Sequence, residues 1–369
     1  MRKAFRFRLY PNRAQAERLA SLLEACRRLY NAALQERRDA WHMQRKSISF
    51  ASQCAQLPAI KEDCPEYTGI YAQVLQDVLH RADRAFAAFF LRVRRGEAPG
   101  HPRFKSRGRY DSFTFPQVGE HGIRLVIEGG RLSLPGVGRV KLKQHRSLDG
   151  ELKTLSVKQG AGGHWYALFS CVVEARPLSP SNEAVGIDVG LESFLITSDG
   201  QFVDNPRLLR MTLNRLAAAQ QRLSRRQRGS RRRQKARRLV ARHHERVADT
   251  RRDFHHKLAR SLVNRYGFLA LEKLQVRNMV RNRHLSLAIS DAGWGQFISI
   301  LLAKAEEAGR EVVLVNPRGT SQTCSACGAV SPKDLSERWH SCACGLSLHR
   351  DLNASRNILA LGRSAQGVS

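Results

Sequence analysis

Two groups of side chains in this sequence have the types and spacing that chemistry requires. The first is a set of three carboxylates in apolar surroundings. Asp188 lies in "AVGIDVG" between Gly186 and Gly190, Glu272 ends the apolar run "FLALE", and Asp351 opens "DLNASRNILALG". An acid on a buried strand is costly unless it is paired or holds a metal. Singly, each has a plainer explanation: Asp188 could cap a turn, and Glu272 could pair with Lys273 or an arginine. Together, two strands and a helix deliver acids in the order Asp, Glu, Asp. That order fits a site for two Mg²⁺ ions, which activate water and stabilise the leaving oxygen in phosphodiester cleavage. The glycines flanking Asp188 let backbone or phosphate approach closely.

The second group is thiolate. Of eight cysteines, Cys26, Cys54, Cys64 and Cys171 are scattered, whereas Cys324, Cys327, Cys342 and Cys344 fall within 21 residues. With no export signal in the sequence, clustering favours metal over disulfides. Cys324-Ser-Ala-Cys327-Gly328 is half of a zinc knuckle, with a glycine for the tight turn. After 14 residues Cys342-Ala-Cys344-Gly345 supplies a second half, one residue short of Cys-x-x-Cys. Four thiolates suit a closed, structural Zn²⁺ site, and His340 is the alternative fourth ligand. His349-Arg350-Asp351 also opens a protein-kinase catalytic loop, but the asparagine required five residues after the aspartate is Arg356. No glycine-rich loop, catalytic lysine motif or Asp-Phe-Gly accompanies it in order. A kinase is excluded.

Around these groups the chain is strongly basic, with 63 Lys and Arg against 32 Asp and Glu, formally +31. Such a surplus implies a polyanionic partner, because phosphate neutralisation releases counterions. Arginine dominates the basic runs, and its fork suits phosphates and base edges. Apolar residues make up 42% of the chain, which fits a globular protein rather than a disordered tail. No apolar run is expected to reach the ~18 residues of a membrane span, and "MRKAFRFRLYP" lacks a signal-peptide core. The expectation is a cytoplasmic protein without a membrane partner.

The elements that must position the acids are legible from periodicity. Phe5, Phe7 and Leu9 alternate with Arg6 and Arg8 as a half-exposed strand. Asn12 and Gln15 form a capping box ahead of Leu19, Leu22, Leu23, Cys26 and Leu29 at helical spacing. A second helix is expected over about 71 to 94. From 110 to 174 short alternating strands with glycine turns make, with the first strand, a small β-barrel holding a helical insertion. "RPLSPSNE", 176 to 183, reads as a linker. Beyond it come a strand at 184 to 189, a second strand, an Asp199-Gly200 turn and a third strand. The region 207 to 265 carries twenty Lys and Arg against three acids (Glu245, Asp249, Asp253), about half of the surplus. Leu209, Leu213, Leu216 and Leu223 form one apolar stripe, and Val240, Val247, Phe254 and Leu258 another. With Gly229-Ser230 between them they predict a helical hairpin whose basic outer faces, with Arg225, Arg226, Arg232 and Arg233, meet nucleic acid. Strands at 266 to 274 and 311 to 316, a helix at about 290 to 308 and a closing helix complete the pattern.

At "RLYPN", "GHPRFKSR", "GIDVG", "LEKL", "LSLAISDAGW", "SQTCSACG" and "HRDLNAS" the sequence resembles TnpB, the transposon-encoded RNA-guided DNA nuclease family related to type V CRISPR effectors. The resemblance spans nearly the whole chain. It implies an α+β multidomain protein: a wedge β-barrel (1–10 and 110–180) with a helical recognition insertion (11–109), then an RNase H-like (RuvC) α/β nuclease domain (181–318 and 346–369) with an inserted zinc ribbon (319–345). It implies Asp188, Glu272 and Asp351 as catalytic Mg²⁺ ligands, the four clustered cysteines as Zn²⁺ ligands, and Gln76 as a reader of a short transposon-adjacent motif. Its partners would be a transposon-derived guide RNA, one per protein, and target double-stranded DNA. Two further possibilities stay open: a guided binder that does not cut, and an RNase H-like strand-transfer transposase. A ribosome-associated zinc protein would leave Asp188 and Glu272 without a role.

Overall fold

The computed structural model describes residues 1–119, 123, 125–332, 334 and 337–366. The chain divides into two units at Val173 and Glu174. In the first, strand β1 (Arg2–Tyr10) alternates as the sequence predicts, burying Phe5, Phe7 and Leu9. Helix α1 (Arg13–Gln44) starts at the capping box: Asn12 Oδ1 accepts from Gln15 N at 2.8 Å, and Gln15 Oε1 from Asn12 N at 3.1 Å. Three short helices, α2 (Phe50–Ala55), α3 (Leu57–Asp63) and α4 (Pro65–Thr68), lead to α5 (Ala72–Arg94).

The remaining strands of the unit are β2 (Ser112–Phe115), β3 (Ile127–Glu128), β4 (Arg131–Leu134), β5 (Gly138–Lys143), β6 (Glu151–Gln159) and β7 (Trp165–Val172). They join β1 in one antiparallel sheet of order β2-β6-β7-β1-β5-β4-β3. Among the described residues this ladder does not close: β2 and β3 stand at its two edges, so the barrel is a half-barrel. Helix α5 covers the β2 edge, where Arg81 donates to Ser112 O at 2.7 Å and Thr114 Oγ1 at 2.6 Å. Phe5, Phe7, Phe113, Phe115 and Phe169 fill the concave face, each contributing about 1.5–3 kcal/mol by burial.

The second unit begins with a segment lacking regular structure that is nevertheless fastened down. Arg176 N donates to Glu307 O, Leu178 N to Ala308 O, and Ser181 Oγ to Arg265 O. Strands β8 (Ala184–Val189), β9 (Ser193–Thr197) and β10 (Phe202–Asp204) are followed by α6 (Leu208–Ser224) and α7 (Arg231–Arg265). Gly229, at φ +83, turns the hairpin, and Ser230 caps α7. Strand β11 (Phe268–Glu272), helices α8 (Val276–Met279), α9 (Ser286–Ala292) and α10 (Trp294–Ala308), and strand β12 (Glu311–Val315) complete a five-stranded sheet of order β10-β9-β8-β11-β12. Strands β8, β11 and β12 run parallel and the others antiparallel. A small hairpin, β13 (Trp339–Ser341) and β14 (Ser347–His349), then enters α11 (Arg350–Gln366).

Strand periodicity sorts side chains into two cores. Val185, Ile187, Leu269 and Leu271 face the α7 and α10 side, with Leu262, Trp294, Phe297 and Leu301. Phe268, Ala270 and Val315 face α11 through Ile358. Residues 286–308 do satisfy, by length and mean hydropathy of 1.2, the bare test for a membrane span, contrary to the expectation from sequence. Gly293, at φ +68, breaks that stretch into α9 and α10, and Trp294, Phe297, Leu301 and Ala305 pack into the core.

Candidate active site and metal centre

The parallel register sets Leu271 opposite Ile187, so Glu272 and Asp188 are the next residues of adjacent strands. Residues in register on parallel strands point the same way. Both carboxyls therefore leave the carboxyl ends of their strands on the α11 face, where ligands of open α/β sheets bind. Helix α11 brings the third acid in its first turn, which the helix dipole favours. Gly186 seats the helix against β8, so the close approach expected at this glycine is made by protein backbone. Gly190 is also tight: a Cβ there would lie 3.0 Å from Ser193 O and 3.8 Å from Asp351 Oδ2.

The three acids act on one another electrostatically. Desolvation pushes the Asp188 carboxyl well above the usual range; Glu272 and Asp351 push it further, and Arg350 opposes. Burial likewise raises Glu272, with Asp351 adding to it and a hydrogen bond from Thr320 working the other way. That bond, Thr320 Oγ1 to Glu272 Oε1, is 2.6 Å long, and Thr320 is 4% exposed. Arg350 Nε lies 3.5 Å from Asp351 Oδ1. Buried like charges of this kind are relieved by a divalent cation, and three hard oxygen donors fit Mg²⁺.

The thiolates also meet. Cys324, Cys327, Cys342 and Cys344 have their sulfurs within 4.8 Å of one another, with Cys324–Cys344 at 3.7 Å and Cys327–Cys342 at 3.5 Å. His340 lies outside this quartet, fully buried, and bonds to the Cys324 sulfur. The N–H of Cys327 foremost, with those of Ala326 and His340, holds the Cys324 thiol down to about 5. Against the Ala329 N–H, the crowded thiols of Cys342, Cys344 and Cys324 push Cys327 up to about 12. Gly328 (φ +77) and Gly345 (φ +90) make the two knuckle turns, so the shortened Cys-Ala-Cys still closes the site. Among the described residues this is the only set of three or more such ligands so tightly grouped; the three acids stand further apart.

Several residues that hold the site had no role assigned from the sequence, although Asn353 lies within "HRDLNAS" and Asp291 within "LSLAISDAGW". Asn353, fully buried, accepts from Ser325 N at 2.8 Å and donates to Thr323 O at 2.7 Å. Asn357 donates to Thr320 O and Thr323 O at 2.8 and 2.6 Å. One turn apart on α11, the two asparagines fasten the entry to the ribbon onto the helix bearing Asp351. Asp291, 8% exposed, accepts from Leu209 N and Arg210 N and pairs with Arg251 at 3.1 Å. It supplies the cap that Arg207 does not provide for α6.

The residues expected to touch nucleic acid divide. Gln76 is exposed on α5, opposite its buried Val74, Leu75 and Val78. Arg225, Arg226 and Arg232 are exposed at the hairpin tip. Arg233 instead turns inward and donates to Leu223 O and Arg226 O at 2.9 and 2.8 Å, closing the end of α6.

Comparison with known proteins places this architecture. A family model described as "Probable transposase" (OrfB_IS605) matches residues 169–283, one for a Cas12f1-like TNB domain matches 294–358, and one for a helix-turn-helix domain matches 1–46. Over that last range the structure holds β1 and the single helix α1, with no second helix. A Streptomyces pristinaespiralis protein named "Putative RNA-guided DNA endonuclease" is 34% identical, covering 99% of this chain and 90% of its own. The chain belongs to the TnpB family. A second relative of similar name, InsQ of Escherichia coli, is 30% identical over 98% of this chain and 92% of its own. The TnpB-family architecture also matches the solved structure of a mini-RNA-guided endonuclease, CRISPR-Cas phi3, with a TM-score of 0.52 at 9% identity, over 98% of this chain and 92% of that one. That likeness is one of fold.

Proposed function

We propose that this TnpB-family chain is an RNA-guided DNA endonuclease of a transposable element, cutting target DNA by Mg²⁺-dependent hydrolysis. The observation that carries the reading is the convergence of Asp188, Glu272 and Asp351 at the strand ends, with two of the carboxyls raised by burial and by their neighbours. The names of its relatives support it. A guide RNA transcribed from the element would pair with the target, and the protein would read a short adjacent duplex motif and the heteroduplex shape. The +31 surplus then serves two polyanions, with one protein per guide RNA in the cytoplasm.

Asp188, Glu272 and Asp351 would hold two Mg²⁺, which when bound supply an activated water and charge stabilisation at the scissile phosphate. The chain's own residues set the geometry. The Thr320 hydroxyl orients Glu272, and the Arg350 guanidinium offsets the charge of Asp188 and Asp351. Gly190, where a Cβ would press on Ser193 O, lets the loop after Asp188 turn close to Asp351. The four cysteines would hold one structural Zn²⁺, fixing the ribbon whose entry is pinned to α11.

The test is cleavage of a guide-matched plasmid, with the target read from the RNA that copurifies. Asp188→Ala should abolish Mg²⁺-dependent cutting while RNA and target binding stay within about twofold. A wild-type complex that binds and never cuts would favour a guided binder. The "Probable transposase" description favours a second reading, an RNase H-like strand transferase. Joining of transposon ends in vitro, by protein free of RNA, would establish that instead.

A further inference from the structure

The loop that leaves Asp188 contributes Leu191 to a cavity of about 350 Å³ that the three acids do not line. Leu191, Leu213 and the half-exposed Leu287 give it an apolar wall; Arg207, Arg210 and His284 are its cations, and Asp291, neutralised by Arg251 and the α6 N–H groups, is its one carboxylate. None of these three rim side chains has a hydrogen-bond or ion-pair partner among the described residues. The α6 N–H groups are no anion site, because Asp291 occupies them. An anion in this cavity would therefore be met by guanidinium forks.

The cavity is joined to the catalytic strand. Leu191 follows Gly190, the residue beside Asp351. Asn205 Nδ2 donates to Leu191 O at 3.0 Å, and Asn205 Oδ1 accepts from Arg207 N at 3.2 Å. Arg207 is held at φ +44, ψ +47, one of two non-glycine residues at positive φ among those described. A left-handed arginine stores strain, which persists only where its surroundings fix it. The Asn205 bridge does so here, and it couples the arginine's position to the loop that leaves Asp188.

We propose that this cavity is a subsite for one nucleotide of the substrate strand, next to the phosphate in the acidic centre. Its phosphate lies against Arg207 and Arg210, and its base or sugar rests on Leu191, Leu213 and Leu287. The volume suits a single nucleoside phosphate, and the lining pairs an apolar surface with a few convergent cations. The subsite rests on the endonuclease reading and deepens it: it positions the strand for cutting, whereas guide pairing carries target affinity.

The experiment uses the full protein with its copurified RNA and a matched target duplex. Arg207→Gly and Arg210→Ala are compared with wild type for target affinity, single-turnover cleavage rate and melting temperature. The expected result is unchanged target affinity, a cleavage rate at least tenfold lower for the double variant, and a melting temperature for Arg207→Gly at or above wild type. Cleavage at the wild-type rate overturns the subsite, as does an affinity loss matching the rate loss. If the double variant melts early, Leu287→Glu at an exposed position repeats the test by placing a negative charge in the cavity, and an unchanged rate overturns the proposal. Wild-type protein that cuts nothing refutes the endonuclease reading itself, a result distinct from variants that cut as well as wild type.

Discussion

A Cβ built on Gly186 would stand 2.0 Å from the carbonyl oxygen of Ser355, so α11 rests on β8 at a spacing only glycine allows. The position of Asp351 relative to Asp188 depends on that seat. Gly186→Ala should push the helix outward, costing about 1–3 kcal/mol in a denaturant titration, as overpacked cores do. Cleavage should fall by more than the unfolded fraction explains. A stable variant cutting at the wild-type rate would show that the seat is not what aligns the acids.

The raised Asp188 and Glu272 carboxyls give the metal-free protein a defined pH response. Both favour protonation more when folded than when unfolded. Their contribution is therefore complete below the ordinary carboxylate range and is lost as pH rises through the raised folded values. In Mg²⁺-free buffer at pH 7, Asp188→Asn should be more stable than wild type by about 1–2 kcal/mol, the usual gain from relieving a functional site. The difference should shrink towards pH 4. A lower melting temperature for the variant at pH 7 would contradict the account.

Thr320→Val keeps the shape and removes the hydroxyl that holds Glu272. Because that hydrogen bond lowers the Glu272 carboxyl, its loss should raise the carboxyl further. The acid limb of the cleavage pH profile should move to higher pH, with a rate loss of roughly tenfold at pH 7 for about 1.4 kcal/mol of lost orientation. A uniform rate loss with no shift of the limb would assign Thr320 a purely structural part.

Cys327→Ser should release one zinc per chain, measured by elemental analysis. Because Asn353 and Asn357 tie the ribbon entry to α11, the loss should reach the acids. Cleavage should drop, and the melting temperature should fall by roughly 5–10 °C, the shift expected for about 2–3 kcal/mol in a unit of this size. Retained zinc with full activity would mean that three cysteines suffice.

The acids were legible because Asp188 and Glu272 end apolar strands, and alternation along those strands decides which face each carboxyl leaves. The thiolates were legible from spacing, and the structure brings all four cysteine sulfurs together with His340 outside the quartet. Thr320 was not legible: its partner lies 48 residues away, and only the fold brings them together. The helices at 50–68 escaped because elements of four to seven residues contain too little of an amphipathic period. Alternating strands predicted a barrel but not its open edge, which depends on pairing rather than pattern. Arg233 looked like its neighbours in a basic run and proved to be a helix cap, since sequence does not report which way an arginine turns.

Strand β8 is the first element of its unit and α11 the last, yet the two are packed face to face. During synthesis, at about 5–20 residues per second, roughly ten to thirty seconds separate the emergence of Asp188 from that of Asp351. For roughly the second half of that interval the nascent chain carries its complete basic hairpin but not the helix that brings Asp351 to Asp188 and Glu272. On the endonuclease reading, a ribosome that stalls, or a message broken before the final helix, would leave a product with the basic hairpin and without the third acid.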